Sequence, residues 1–164
     1  MTDLAPDRPA VLHPVPAQRS MLVIPRVHEG SGARARYGLV QAELDPGGQM
    51  LVFPQGPVVD PGELRAGAGL LLAEEFGQAM SAAVIAPLGI LYADQRQEER
   101  IDVMLAVARR AEAGCGRALE PAGVPGVEWV DEQHLVEHLR SGRIVDTSTA
   151  SALALLQSCG EFTR

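Results

Sequence analysis

GPVVDPGELRAGAGLLLAEEFGQ, residues Gly56 to Gln78, opens on a glycine and proline turn and ends just beyond two adjacent glutamates. Between Leu64 and Phe76, apolar residues stand at Leu64, Ala68, Leu71, Leu72 and Phe76. That is the three-and-four spacing of one helix face, not the alternation of a strand. Gly67 and Gly69 weaken such a helix by roughly 1 kcal/mol each relative to alanine, a cost that makes sense where the backbone approaches a neighbour closely. Gly77 offers a left-handed stop. The Leu70 to Leu72 run reads as core packing, and Glu74-Glu75, taken alone, as a solvated helix end.

Working outward, SMLVIPRV (20–27) is a compact apolar run and HEGSGARA a loop. RYGLVQAEL then reads as a strand, DPGGQ as a tight turn and MLVFP as the next strand. Beyond Gly77, AAVIAPLGILYA and IDVMLAVARR read as strands, the second with Ile101, Val103, Leu105 and Val107 alternating on one face. After a glycine and proline loop come a short strand, VEWV, and a helix, DEQHLVEHLRSG. A last helix, DTSTASALALLQS, has Asp146 or Thr147 as N-cap and Gly160 as stop. The order predicts an α/β domain with helices on both faces of a mixed sheet over 20–164, after a proline-rich arm over 1–19 in which Val11 to Val15 can form an edge strand.

Composition narrows the function classes. The 164 residues include no lysine, so all 14 basic residues are arginine, a bacterial habit of GC-rich coding. A net charge of −7 and pI near 5.0 argue against nucleic acid and anionic membranes as partners, since both bind clustered positive charge. The apolar run Ser81 to Ala93 is interrupted by Pro87 and too short to span a bilayer, and MTDLAPDRPA is not a signal peptide, which predicts a cytoplasmic protein. Cys115 and Cys159 lack CxxC spacing and read as ordinary thiols. His134 and His138 are four apart on a predicted helix but without an HExxH pattern or third ligand, so they read as surface residues and not a zinc site. GSGARARYG lacks the setting and the lysine of a phosphate-binding P-loop; Arg34 and Arg36 read as solvated, with phosphate contact as the alternative.

The opening stretch resembles the box of the Nudix hydrolases, G-x5-E-x7-R-E-U-x-E-E-x-G-U, where U is a bulky aliphatic. The register places Gly56 on the first glycine, Leu72 on an aliphatic position, Glu74 and Glu75 on the paired acids and Gly77 on the last glycine. The resemblance continues on both sides of the box. LVFPQG is similar to the ELPAG of the ADP-ribose pyrophosphatase branch, EERIDVMLAVA to its acidic loop and strand, and GVEWVDEQHLVEHLRSGRIVDTSTASALALL to its closing pattern. It covers about Met21 to Leu156 and implies a Nudix-type α/β/α sandwich, and commonly a homodimer.

The departures fall on the chemistry. Gly62 stands at the first glutamate, with Glu63 one place late; Leu70 and Leu71 replace the Arg-Glu pair, and Gln78 the last aliphatic. Hydrolysis of a diphosphate needs Mg2+ or Mn2+ held by several carboxylates, which neutralises phosphate charge and lowers the pKa of the attacking water. Positions 71 and 75, one turn apart, would grip the ions together; Leu71 breaks that pair. The resemblance leaves Glu74, Glu75 and Glu99 as metal candidates, Glu75 and Glu99 as catalytic candidates, and Gly56 and Glu63 as ligand contacts, with Glu98 an alternative loop acid. A second acid cluster of the branch falls on Ala122 and Gly123, with Glu120 nearby. Two readings follow: a protein that binds a nucleotide-like or phosphorylated small molecule with weak, altered or absent hydrolysis, or an active hydrolase of ADP-ribose-like compounds with a reduced metal site.

Overall fold

The computed structural model describes residues 18–29, 34–81, 83–93, 99–110 and 126–160; the strand expected over 11–15 lies outside them. In chain order come β1 (Gln18–Glu29), β2 (Ala35–Glu43), β3 (Gln49–Val52), β4 (Gln55–Pro57), a 3-10 turn (Pro61–Glu63), α1 (Leu64–Phe76), β5 (Val84–Tyr92), β6 (Glu99–Arg110), β7 (Val127–Val130), α2 (Glu132–Arg140) and α3 (Thr147–Ser158). The seven strands form one mixed sheet in the order β3-β2-β1-β6-β5, with β4 added to β1 and β7 to β2. β1 and β6 are its parallel pair, in register from Gln18 opposite Glu99 to Glu29 opposite Arg110.

Strand alternation divides the core into two layers. Leu22 and Ile24 of β1 and Ile101, Val103 and Leu105 of β6 face one side, where Leu135 of α2 and Ala152, Leu153 and Leu156 of α3 cover them. Met21 and Val23 of β1 and Met104, Ala106 and Ala108 of β6 face the other, under Ala68, Leu72 and Phe76 of α1. The expected α/β/α sandwich is therefore the observed one. Both C-terminal helices are capped by aspartates, Asp131 accepting from the His134 N–H at 2.9 Å and Asp146 from the Thr149 N–H at 2.7 Å. No helix among the described residues is long and apolar enough to cross a membrane.

Helix α1 has the expected bounds, but its leucines do not all enter the core: Leu72 is buried, Leu71 half-buried and Leu70 72% exposed. Successive helical residues point about 100° apart, so three in a row cannot share one face. The close approach anticipated from the helix glycines is real at Gly67, where a Cβ would lie 2.8 Å from the Cε of Met21 on β1. At the far end of α1, Phe76 meets Trp129 of β7 with ring centroids 5.3 Å apart. This pair rests on Gly38 of β2.

The two sheet edges differ. On β3, the Leu51 N–H donates to the Arg143 carbonyl at 2.9 Å, so the segment after α2 covers that edge. Among the described residues β5 ends the other side, and its register against β6 shifts between Pro87 and Gly89.

Two glycine substitutions separate close packing from helix propensity. A Cβ at Gly38 would lie 2.5 Å from Phe76 Cε1 and 3.1 Å from Trp129 Cη2, so Gly38→Ala is expected to destabilise the fold by about 1–3 kcal/mol. A Cβ at Gly69 meets nothing nearer than Ile85 Cδ1 at 3.9 Å, so Gly69→Ala is expected to stabilise by about 0.5–1 kcal/mol. Urea midpoints at constant m-value check both signs.

Candidate functional site

Strand β4 places the glycine loop. Only three residues long, it pairs antiparallel with β1, Gly56 opposite Met21, and the Val58 N–H donates to the Arg19 carbonyl at 3.0 Å. The chain then turns through Asp60, whose Oδ1 accepts from the Gly62 N–H at 2.7 Å, into the 3-10 turn and α1. This path lays Gly56 against Leu71. A Cβ on Gly56 would lie 3.5 and 3.7 Å from the two Leu71 methyls, ordinary van der Waals contact.

Position 71 thus faces the glycine loop, and Glu75, one turn further on, follows on the same side of α1, half-buried. Glu74 beside it is exposed. Where a divalent cation would require oxygens, the helix presents methyl groups. Glu99 lies elsewhere: strand alternation directs it with Ile101 towards the α3 side of the sheet, where its Oε1 is 3.5 Å from the Ser20 hydroxyl. Glu74, Glu75 and Glu99 do not come together, and no group of three metal-ligating side chains exists among the described residues. The residues described do not fit a divalent metal centre at this face. Glu98, Glu120, Ala122 and Gly123 lie outside them.

Glu63 is exposed at the end of the 3-10 turn and lines an open cleft of about 490 Å³, whose floor is Pro87 and Met104 and whose wall is residues 61–66. Gly56 does not line it. Arg34 and Arg36 are exposed, as expected. His134 is exposed too, its Nδ1 2.7 Å from Asp131. His138 corrects the sequence expectation: it is buried, with Nε2 3.0 Å from Glu128 Oε1, and Arg143 Nη2 donates to the other oxygen of Glu128 at 2.9 Å. The two histidines have different partners and do not form a site.

Charge clusters that sequence reasoning missed lie on the strands. Asp102, buried on β6, accepts from Arg19 Nε at 2.6 Å and Arg100 Nη2 at 2.9 Å. Burial raises its pKa, but the hydrogen bonds and charges of the two arginines outweigh that and hold the carboxyl below its ordinary value. Glu128 is likewise pushed up by burial and brought below its ordinary value by His138 and Arg143. The only sequence signal was an aspartate within the apolar run of β6, with Arg100 two residues before it, since Arg19 is 83 residues from its partner.

No protein-family model matches the sequence, and no curated protein does. Solved structures do match in shape. The chain resembles one in the complex between the C-terminal domain of mouse MUTYH and human PCNA, with TM-score 0.60 and 15% identity, over 89% of this chain and 91% of that one. An ADP compounds hydrolase gives 0.56 and 19% over 86% and 71%. The NUDIX domain of Shewanella oneidensis NrtR, crystallised with ADP ribose, gives 0.51 and 17% over 73% and 76%. At these identities the likeness concerns fold, and the fold is the Nudix fold.

The Asp102 cluster has a pH signature. Because its folded pKa lies below the unfolded one, its stabilisation is fully present above the ordinary carboxylate range, about pH 4, and is lost as pH falls through the lower folded value. Asp102→Asn is expected to cost about 1–3 kcal/mol at pH 7 and to flatten the fall in melting temperature below about pH 4. Melting curves from pH 7 to pH 2 on both proteins provide the measurement.

Proposed function

We propose that this chain binds a nucleotide-like or phosphorylated small molecule, of the ADP-ribose or nucleotide-sugar kind, and hydrolyses it weakly or not at all. One observation carries the reading: Leu71 packs its methyls against Gly56, in the position where the resembled box carries a metal-binding glutamate. A hard cation takes oxygen ligands, and a leucine side chain provides none. Without a cation bridging the phosphates, the charge developing on the diphosphate is not neutralised and the attacking water keeps its high pKa. The fold shared with an ADP compounds hydrolase and with a NUDIX domain crystallised with ADP ribose supports the ligand class. What the chain's own residues retain is the glycine loop at Gly56, the half-buried Glu75 and the exposed Glu74.

An active hydrolase is the competing reading, favoured by the survival of Glu75 one turn from position 71. Turnover decides between them. We expect magnesium- or manganese-dependent cleavage of ADP-ribose and related diphosphates at least about a hundredfold below 1 per second, a deficit of about 2.7 kcal/mol in the barrier. Turnover of about 1 per second or faster on any such substrate overturns the proposal.

Restoring the box tests whether the scaffold still frames a metal face. Leu70 is exposed and accepts arginine without burial, whereas Leu71→Glu places a carboxylate at a half-buried position and can cost a few kcal/mol of stability. The Leu70→Arg, Leu71→Glu variant, once shown to melt cooperatively, is expected to bind manganese measurably tighter than wild type by calorimetric titration. A folded variant with wild-type manganese affinity would show that Glu75 is a surface charge and that this face no longer frames a site.

A further inference from the structure

Three strands bring three chemically distinctive side chains into one row. Arg19 of β1 is the register partner of Arg100 of β6, and Arg100 is the register partner of Tyr92 of β5. Alternation puts all three on the α1 side, and the next row on that side contains Ile90, Asp102, Met21 and Gly56. The row therefore adjoins the glycine loop directly.

Two guanidiniums directly opposite each other repel, a destabilising arrangement in a sheet. Here Asp102 holds both, binding Arg19 through Nε and Nη2 at 2.6 and 3.3 Å and Arg100 through Nη2 at 2.9 Å. Among the described residues, one carboxylate against two guanidiniums leaves positive charge in this row, in a chain of net charge −7. Each guanidinium has five N–H donors, so the three bonds to Asp102 leave most of them unused. Arg100 Nε is buried and makes no hydrogen bond, so Asp102 does not engage the whole of this guanidinium. Both arginine side chains keep partial access to solvent, 26% and 30%. At the end of the row Tyr92, 49% exposed, offers an aromatic face.

We propose that Arg19, Arg100 and Tyr92 form a subsite for a nucleotide, the two guanidiniums binding a phosphate and the Tyr92 ring stacking on the base. Asp102 positions the guanidiniums and touches no ligand. A fork-shaped donor pair matches phosphate oxygens bidentately, and stacking on an aromatic ring accepts any base. This assignment rests on the nucleotide-binding reading above and gives it a location on β1, β5 and β6 outside the box.

The test is calorimetric titration of the full chain with ADP and, separately, with inorganic phosphate. Arg100→Gln is expected to weaken both at least tenfold. Tyr92→Ala, an exposed position outside the ion-pair cluster, is expected to weaken ADP at least fivefold and leave phosphate unchanged. Loss of phosphate binding in Tyr92→Ala, or ADP affinity within twofold of wild type in either folded variant, overturns the subsite while leaving nucleotide binding intact. Should Arg100→Gln fail to fold, Tyr92→Ala alone decides. Wild-type protein that binds phosphate, sensitive to Arg100→Gln, but not ADP would overturn the nucleotide subsite while leaving the binding of a phosphorylated small molecule standing. Wild-type protein that binds neither ligand overturns the subsite as well.

Discussion

Twelve residues of β1 lie parallel to β6 across a separation of some eighty residues, and both faces of this pair are buried. Parallel strands need a long crossover, and here it is everything from β2 to β5. The register does more than hold the sheet together. Because side chains alternate strictly, it decides that Ile101, Val103 and Leu105 meet α3, that Met104 and Ala106 meet α1, and that Arg19 lies opposite Arg100. A slip of one residue would exchange the layers and drive Asp102 into the larger apolar core. The buried aspartate with its two arginines thus marks the register chemically, since only one alignment pairs all three charges.

How much of this was legible depends on the range of the forces involved. The bounds of α1, the alternation in β6 and the Asp146 cap of α3 follow from local rules, so they could be read along the chain. β4 could not: with three residues it has no periodicity, and it exists because β1 offers it an edge. His138 looked like a surface residue because its partners come from elsewhere, Glu128 on β7 and Arg143 beyond the helix. Leu70 looked like core because an apolar run carries no record of which residue points outwards. Position 71 was legible in register but not in consequence, since only the fold reveals what its methyl groups touch.

The candidate site shows the same division. The Nudix-type fold is present as backbone geometry, and in this chain α1 approaches β1 closely at Gly67. At position 71 the helix carries an aliphatic side chain where the resembled box has an acid, while the buried charges of the sheet centre on Asp102. An apolar side chain between helix and loop contributes to packing, whereas clustered carboxylates awaiting a cation repel one another. The replacement at position 71 is therefore compatible with a more stable fold, and stability and metal chemistry are opposing demands at that residue.

The β5 edge has a bearing on how the protein behaves in a crowded solution. Val84 to Tyr92 contains no charged residue, and an uncharged edge strand is a template on which another chain can extend a sheet. Pro87 cannot donate a backbone hydrogen bond, and the adjoining register shift bends the ladder in mid-strand. What is left is two short segments, neither long enough to seed a regular ribbon. The imino acid and the bulge thereby protect against aggregation where charge does not, and the hydrophobic strand can remain at the margin of the sheet without becoming a nucleus for fibrils.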